Sequence, residues 1–204
     1  MGTMVKDPTT YFSQWICHRN DLLRAMEQEA EEQGIPIVGP VVGRLLYLLA
    51  RLSKAARILE LGTATGYSAI FMGAACRENS GRIISLEIDP SMAERARHNI
   101  ARAGLADLIE VRCQDAIKAL PTLDQGVDMV FMDVEKQDYA KLLPILTPIT
   151  APNGLLVTDN TGFRDAHRFN VMIHEDKMWS SVNIWAFLPG HSPNRDGLCI
   201  AVRQ

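Results

Sequence analysis

Arg57-Ile58-Leu59-Glu60-Leu61-Gly62-Thr63-Ala64-Thr65-Gly66-Tyr67-Ser68 opens the patterned part of the chain. The first five residues read as a short strand, and Tyr67 to Cys76 reads as a helix. Two glycines bracket the turn between them. Gly62 permits a sharp reversal and lets a ligand approach the backbone, and Gly66 sits where the helix starts. A plain strand-to-helix turn and a nucleotide-type binding loop both fit two glycines. The spacing is neither GxGxxG nor GxxxxGK[ST], which counts against dinucleotide and P-loop readings.

Toward the C-terminus the same alternation repeats. Ile83-Ile84-Ser85-Leu86 is a second strand. The helix from Pro90 to Ala103 has Asp89 placed to cap it and Gly104 to stop it. Leu108 to Val111 is a third strand, followed by a short helix over Ala116 to Leu120. Met129 to Met132 is a fourth strand, with a helix near Asp138 to Leu146. Leu155 to Thr158 is a fifth strand, and Arg164 to His174 reads as helix. Val182 to Phe187 and Leu198 to Val202 read as the last strands. This order predicts an α/β fold, a mostly parallel sheet covered on both faces and doubly wound. Toward the N-terminus, Pro8 to Gln33 reads as one helix, broken by Gly34 and Pro36. Val41, Val42, Leu45, Leu46, Leu48, Leu49 and Leu52 recur at helical spacing in a second helix. The expectation is one domain over 1–204, with a helical extension over 1–53 and the ligand-binding core over 54–204.

The 204 residues are 47% apolar and 22% charged, enough to bury a core without disulfides or a structural metal. A formal charge of −3 gives no bulk attraction to nucleic acid or anionic membrane. Cys17, Cys76, Cys113 and Cys199 form no CxxC pair, and the histidines form no HExxH motif. Reduced thiols, no apolar run near the ~18 residues of a membrane helix, and an N-terminus without a signal-peptide core place the protein in the cytoplasm.

In such sheets ligands sit outside the carboxyl ends of the strands, so the residues after each strand carry the functional reading. Glu87 ends the second strand, 25 positions beyond Gly62, and suits a carboxylate accepting from ribose hydroxyls. Asp115 is placed to cap a helix or to receive an adenine amino group, with Ala116 beside it. Asp133 follows the fourth strand and Asp159-Asn160 the fifth. Neighbouring strands lie about 4.8 Å apart, so these side chains can converge above the sheet. Two carboxylates and an amide oxygen suit Mg²⁺; two helix caps at adjacent strand ends fit the spacing equally well. Lys136, one turn beyond Asp133, faces the same centre or pairs with Glu135 or Asp138 on a solvated helix.

Ile58 to Ala69 resembles the cofactor loop of S-adenosylmethionine-dependent O-methyltransferases, in particular the cation-dependent caffeoyl-CoA and catechol group with its small bacterial members. Phe131 to Tyr139 resembles that group's metal and lysine segment. Thr158-Asp159-Asn160 is similar to its second metal segment, and Asp196-Gly197-Leu198 to its closing strand. The resemblance runs in order from about Pro36 to the end. It implies a Rossmann-like methyltransferase sheet of seven strands with the last one antiparallel. It further implies that Glu60, Gly62, Gly66, Tyr67 and Ser68 surround the methionine part of S-adenosylmethionine. Glu87 would hold the ribose, and Asp115 and Ala116 would border the adenine. Asp133, Asp159 and Asn160 would bind the divalent cation, with Asp133 also near the cofactor. Lys136 with Asp133 would form the catalytic pair, Lys136 as base or positioning cation.

The implied reaction is methyl transfer to a metal-chelated hydroxyl of a small catechol-like acceptor, by a homodimer. Two other readings stand beside it: a tRNA hydroxyuridine O-methyltransferase, which the charge of −3 disfavours, and an NAD-dependent oxidoreductase, which the missing GxGxxG disfavours. The sequence departs from the family at Thr161-Gly162-Phe163, at Val134-Glu135, and in the long Leu188 to Asp196 segment. There His191 and Arg195 read as solvated loop residues, or as contacts to an acidic acceptor.

Overall fold

The computed structural model describes residues 2–204. The expected single helix over 8–33 is two helices, α1 (Pro8–Ser13) and α2 (Asp21–Gln33). The break has a local cause: Asn20 Oδ1 accepts from the Leu23 amide at 2.9 Å and caps a new helix start. α1 buries none of its residues, whereas α2 buries Leu23, Met26 and Ala30. α3 (Gly39–Leu52) buries Val42, Leu46 and Ala50 and leaves Leu48 and Leu52 exposed.

The core alternates β1 (Arg57–Leu61), α4 (Tyr67–Asn79), β2 (Arg82–Glu87), α5 (Pro90–Arg102), β3 (Ile109–Cys113), α6 (Ala116–Ala119) and β4 (Val127–Met132). It continues through α7 (Tyr139–Ile149), β5 (Thr150–Thr158), α8 (His167–Glu175), β6 (Trp179–Phe187) and β7 (Arg195–Arg203). The seven strands stand in the order β3-β2-β1-β4-β5-β7-β6. All pairs are parallel except those of β7, which runs antiparallel to both β5 and β6. The chain is therefore a doubly wound α/β sheet that reverses direction between β1 and β4. Asp89 and Asp115 cap α5 and α6 as their positions predict.

Alternate strand residues feed two apolar layers. Ile58, Met129, Phe131 and Val157 face α3 and α4, joined by Leu46, Phe71 and Met72. Leu59, Leu61, Val130 and Met132 face α7 and α8, joined by Leu142, Leu146 and Phe169. Register fixes the rim of the sheet. Leu61 pairs with Met132, and Met132 with Thr158. Gly62, Asp133 and Asp159 therefore leave adjacent strands at one level. Backbone bonds stitch that rim: the Asp133 amide donates to Leu61 O at 2.8 Å and the Asp159 amide to Met132 O at 3.0 Å.

β5 starts at Thr150 rather than Leu155. Val127 pairs with Thr150 and Met129 with Leu155, so Pro152-Asn153-Gly154 falls in an irregularity inside the strand. α7 runs to Ile149 and takes Pro144 and Pro148 inside it.

Candidate active site

The turn after β1 is held from below and from the side. Gly62 has φ +82°, and a Cβ there would lie 2.0 Å from the Asp133 carbonyl oxygen, so two backbones meet where no side chain fits. Glu60 is fully buried beneath the turn and accepts from Ser68 Oγ at 2.5 Å and Ser85 Oγ at 2.6 Å. Burial pushes its carboxyl up, and the serine bonds pull it partly back. Glu87 Oε2 accepts from the Thr63 and Ala64 amides at 3.1 and 2.8 Å, and Oε1 from the Asp89 amide at 2.9 Å. This strand-end carboxylate staples the turn to β2.

A cavity of about 790 Å³ opens over the carboxyl ends of the strands. Of the residues singled out in the sequence, Gly62, Tyr67, Ser68, Glu87, Asp115, Ala116, Asp133, Lys136, Asp159 and Asn160 line it. Glu60 and Gly66 are not in its wall: Glu60 supports the turn, and Gly66 starts α4 in a left-handed conformation at φ +89°. Ile35, Pro36 and Ile37 wall one side, with Phe163 and Ser192 contributing elsewhere.

The acidic end of the cavity is compact. Lys136 Nζ lies 3.3 Å from Asp133 Oδ1, while Asp138 pairs with Lys141 at 2.6 Å. Lys136 therefore faces the rim rather than a solvated helix partner. Burial and the neighbouring Asp159 raise the Asp133 carboxyl to about 7, against the pull of Lys136. Asp159 is 1% exposed, and its two oxygens accept from His191 Nε2 at 3.0 and 2.8 Å. Its Oδ1 also accepts from the Asn160 amide at 2.9 Å. Asn160 Nδ2 donates to Asp196 Oδ2 at 2.7 Å.

That last bond tests the cation reading. It turns the Asn160 amide so that Oδ1 is its open atom, and among the described residues no donor reaches Oδ1. Among the described residues no three His, Cys, Asp or Glu side chains form a metal-holding group, so any site here depends on this amide. Two carboxylates and an amide oxygen are a hard, all-oxygen set, and Asp159 adds to the burial that raises the Asp133 carboxyl. These residues fit a divalent cation. The turn, Glu87 and the α6 cap likewise fit a nucleoside with a charged tail.

The sequence profile described as O-methyltransferase matches residues 18–184. The chain belongs to the O-methyltransferase family. A "Catechol O-methyltransferase" of Niastella koreensis is 37% identical over 183 residues, covering 80% of this chain and 82% of the relative. The O-methyltransferase TomG of Streptomyces achromogenes, solved in complex with SAM, superposes with a TM-score of 0.85 at 30% identity. The match covers 96% of this chain and 95% of TomG. An O-methyltransferase from Bacillus cereus, solved with SAH, gives a TM-score of 0.86 at 26% identity, covering 96% of each chain. This O-methyltransferase is thus an S-adenosylmethionine-dependent enzyme on a Rossmann-like fold. No helix among its described residues is long and apolar enough to cross a membrane.

Two neighbours of the rim make contacts that the sequence does not announce. His191 is not a solvated loop residue; it is 4% exposed and packed on Asp159. Arg195 remains on the surface and donates to Thr9 Oγ1 at 3.2 Å. Asp196, read only as the start of the closing strand, orients Asn160 and also accepts from the Gly162 amide at 3.1 Å. Its signal was a lone acid entering an apolar strand.

Proposed function

We propose that this O-methyltransferase moves the methyl group of S-adenosylmethionine to a hydroxyl of a small, catechol-like acceptor chelated to a divalent cation, Mg²⁺ by the chemistry of the ligands. The carrying observation is the shared rim: Asp133, Asp159 and Asn160 line the same cavity as Gly62, Tyr67 and Ser68 of the turn after β1. The name of the Niastella relative supports the acceptor class.

The sulfonium brings an already activated methyl group, so the chain's task is to align an oxygen nucleophile with it. Ser68, Tyr67 and the Gly62 turn hold the donor's tail, and Glu87 receives its ribose at the one lone-pair position its staple leaves open. Asp133, Asp159 and Asn160 would hold the cation, which supplies Lewis acidity toward the acceptor hydroxyl. Lys136, placed by Asp133, receives the hydroxyl proton when its amine is neutral, and as an ammonium it fixes the resulting anion by charge. The Phe163 ring, 5.9 Å from Lys136 Nζ, gives the acceptor an apolar face beside that cation.

The test is methyl transfer to a panel of catechols with and without a chelator. Turnover should stop with chelator and return with Mg²⁺. Lys136→Met should lower kcat by roughly 10²–10⁴-fold, the usual span for a lost proton-transfer group, with SAH affinity nearly unchanged. Asp159→Ala should remove the metal response. Full turnover in chelator contradicts the cation's role.

A further inference from the structure

The segment from Leu188 to Asn194 is a built element rather than a slack connection. The Leu188 amide donates to Asn194 O at 2.8 Å, the His191 amide to Leu188 O at 3.0 Å, and the Gly190 amide to Asn194 Oδ1 at 3.0 Å. Its backbone is pressed on the start of α3: a Cβ on Gly39 would meet Gly190 C and O at 2.5 Å. Leu188 is buried in the layer that also holds Val42 and Leu46. The loop therefore delivers His191 to a fixed place.

Both ring nitrogens of His191 are engaged there. Nδ1 lies 2.6 Å from Pro193 O, an atom that only accepts, so Nδ1 carries a proton. Nε2 faces both Asp159 oxygens at 2.8 and 3.0 Å and donates to them. Together with the Asn160 amide this fixes the plane of the Asp159 carboxylate: Oδ1 takes both donors, while Oδ2 retains a lone pair for another partner. A carboxylate ligand held by an outer hydrogen-bond donor is the usual way proteins pre-orient metal ligands.

We infer that His191 is a positioning residue that holds Asp159 in the orientation that binds the divalent cation with Asp133 and Asn160, making cation affinity depend on the 188–194 loop. The inference rests on the cation reading of the rim and adds a residue and a loop to it.

Mn²⁺ binding to the full chain, followed by the loss of the free-ion electron paramagnetic resonance signal, tests it. SAH affinity measured by calorimetry without metal is the control. Two amide variants separate the two ring nitrogens. His191→Gln places a donor where Nε2 stood, toward Asp159. His191→Asn places one where Nδ1 stood, toward Pro193, and leaves Asp159 without it. His191→Ala and His191→Asn should both weaken Mn²⁺ binding by about 10–100-fold, as lost outer-shell partners do. His191→Gln should restore most of it, and SAH affinity should hold in all three. Rescue by Asn rather than Gln would overturn the inference, because the histidine would then serve only the loop. Equal Mn²⁺ affinity in wild type and both weakened variants would overturn it, as would parallel losses of Mn²⁺ and SAH binding. Absence of Mn²⁺ binding in the wild type would overturn the cation reading itself, and this inference with it.

Discussion

A carboxyl with no exposed surface, such as Glu60, loses the hydration that stabilises its charge, and its two serine donors restore only part of it. Its pKa is raised by burial above the ordinary value of 4.5. The native state then holds this proton more tightly than the unfolded chain. As pH rises past the ordinary glutamate range, the unfolded chain releases the proton first, and stability falls until the native pKa is passed. Glu60→Gln removes that slope. Its melting temperature relative to wild type should climb as pH rises above that ordinary value; a difference that does not change with pH would refute the assignment. Glu87 shows the limit of reading residues from sequence. Its place at a strand end was legible. Its present partners, the amides of Thr63, Ala64 and Asp89, were not, because a backbone N–H carries no sequence signature.

Among elements, those with a strong local code were legible close to their true ends. β1 and the α5 cap follow from an apolar run and an Asp-Pro start, and the α2 stop from Gly34 at φ +65°. Elements set by partners were not. Asn20 starts a new helix inside what apolar spacing reads as one, and β5 begins five residues early because Val127 on β4 recruits Thr150 across an irregularity. The contact between α3 and the 188–194 loop belongs to the same class. Gly39 has φ +67°, and any Cβ there meets the Gly190 carbonyl C and O at 2.5 Å and the His191 nitrogen at 2.7 Å. Gly39→Ala therefore combines left-handed strain with overpacking against main chain, which cannot turn aside as a side chain does. The expected cost is about 2–4 kcal/mol, read as a lower urea midpoint. Because the loop carries His191, the same variant should bind Mn²⁺ more weakly than a surface control such as Gln28→Ala. A variant as stable as wild type would show that the loop can move away from α3 at little cost.

At the scale of the whole molecule, the N-terminal helices dock on the α/β core. Leu23 and Met26 of α2 and Val42 and Leu46 of α3 lie in one layer with Phe71, Ile83 and Phe131, so these side chains are buried within the chain. One polar contact locks this arrangement to the cofactor end. Tyr67, 2% exposed at the head of α4, donates to Glu27 Oε1 on α2 at 2.5 Å. Arg19 Nε and Nη2 donate to the same carboxylate at 3.0 to 3.2 Å. These partners stand 40 and 8 positions apart, which no periodicity in the sequence announces. Glu27→Ala strands a buried hydroxyl and should cost about 1–3 kcal/mol. Tyr67→Phe removes that hydroxyl, so the double variant should cost less than the sum of the two, with a coupling of about 0.5–3 kcal/mol. Since Tyr67 also lines the cavity, Glu27→Ala should weaken SAH binding, whereas Gln28→Ala, one position along the same helix and exposed, should not. Urea titrations of the four-membered cycle with matching m-values check the coupling, and calorimetry with SAH checks the link to the cofactor. Strict additivity would mean that α2 is held by its apolar face alone. Undiminished SAH affinity in Glu27→Ala would mean that the donor's end of the cavity keeps its shape without help from the N-terminal helices.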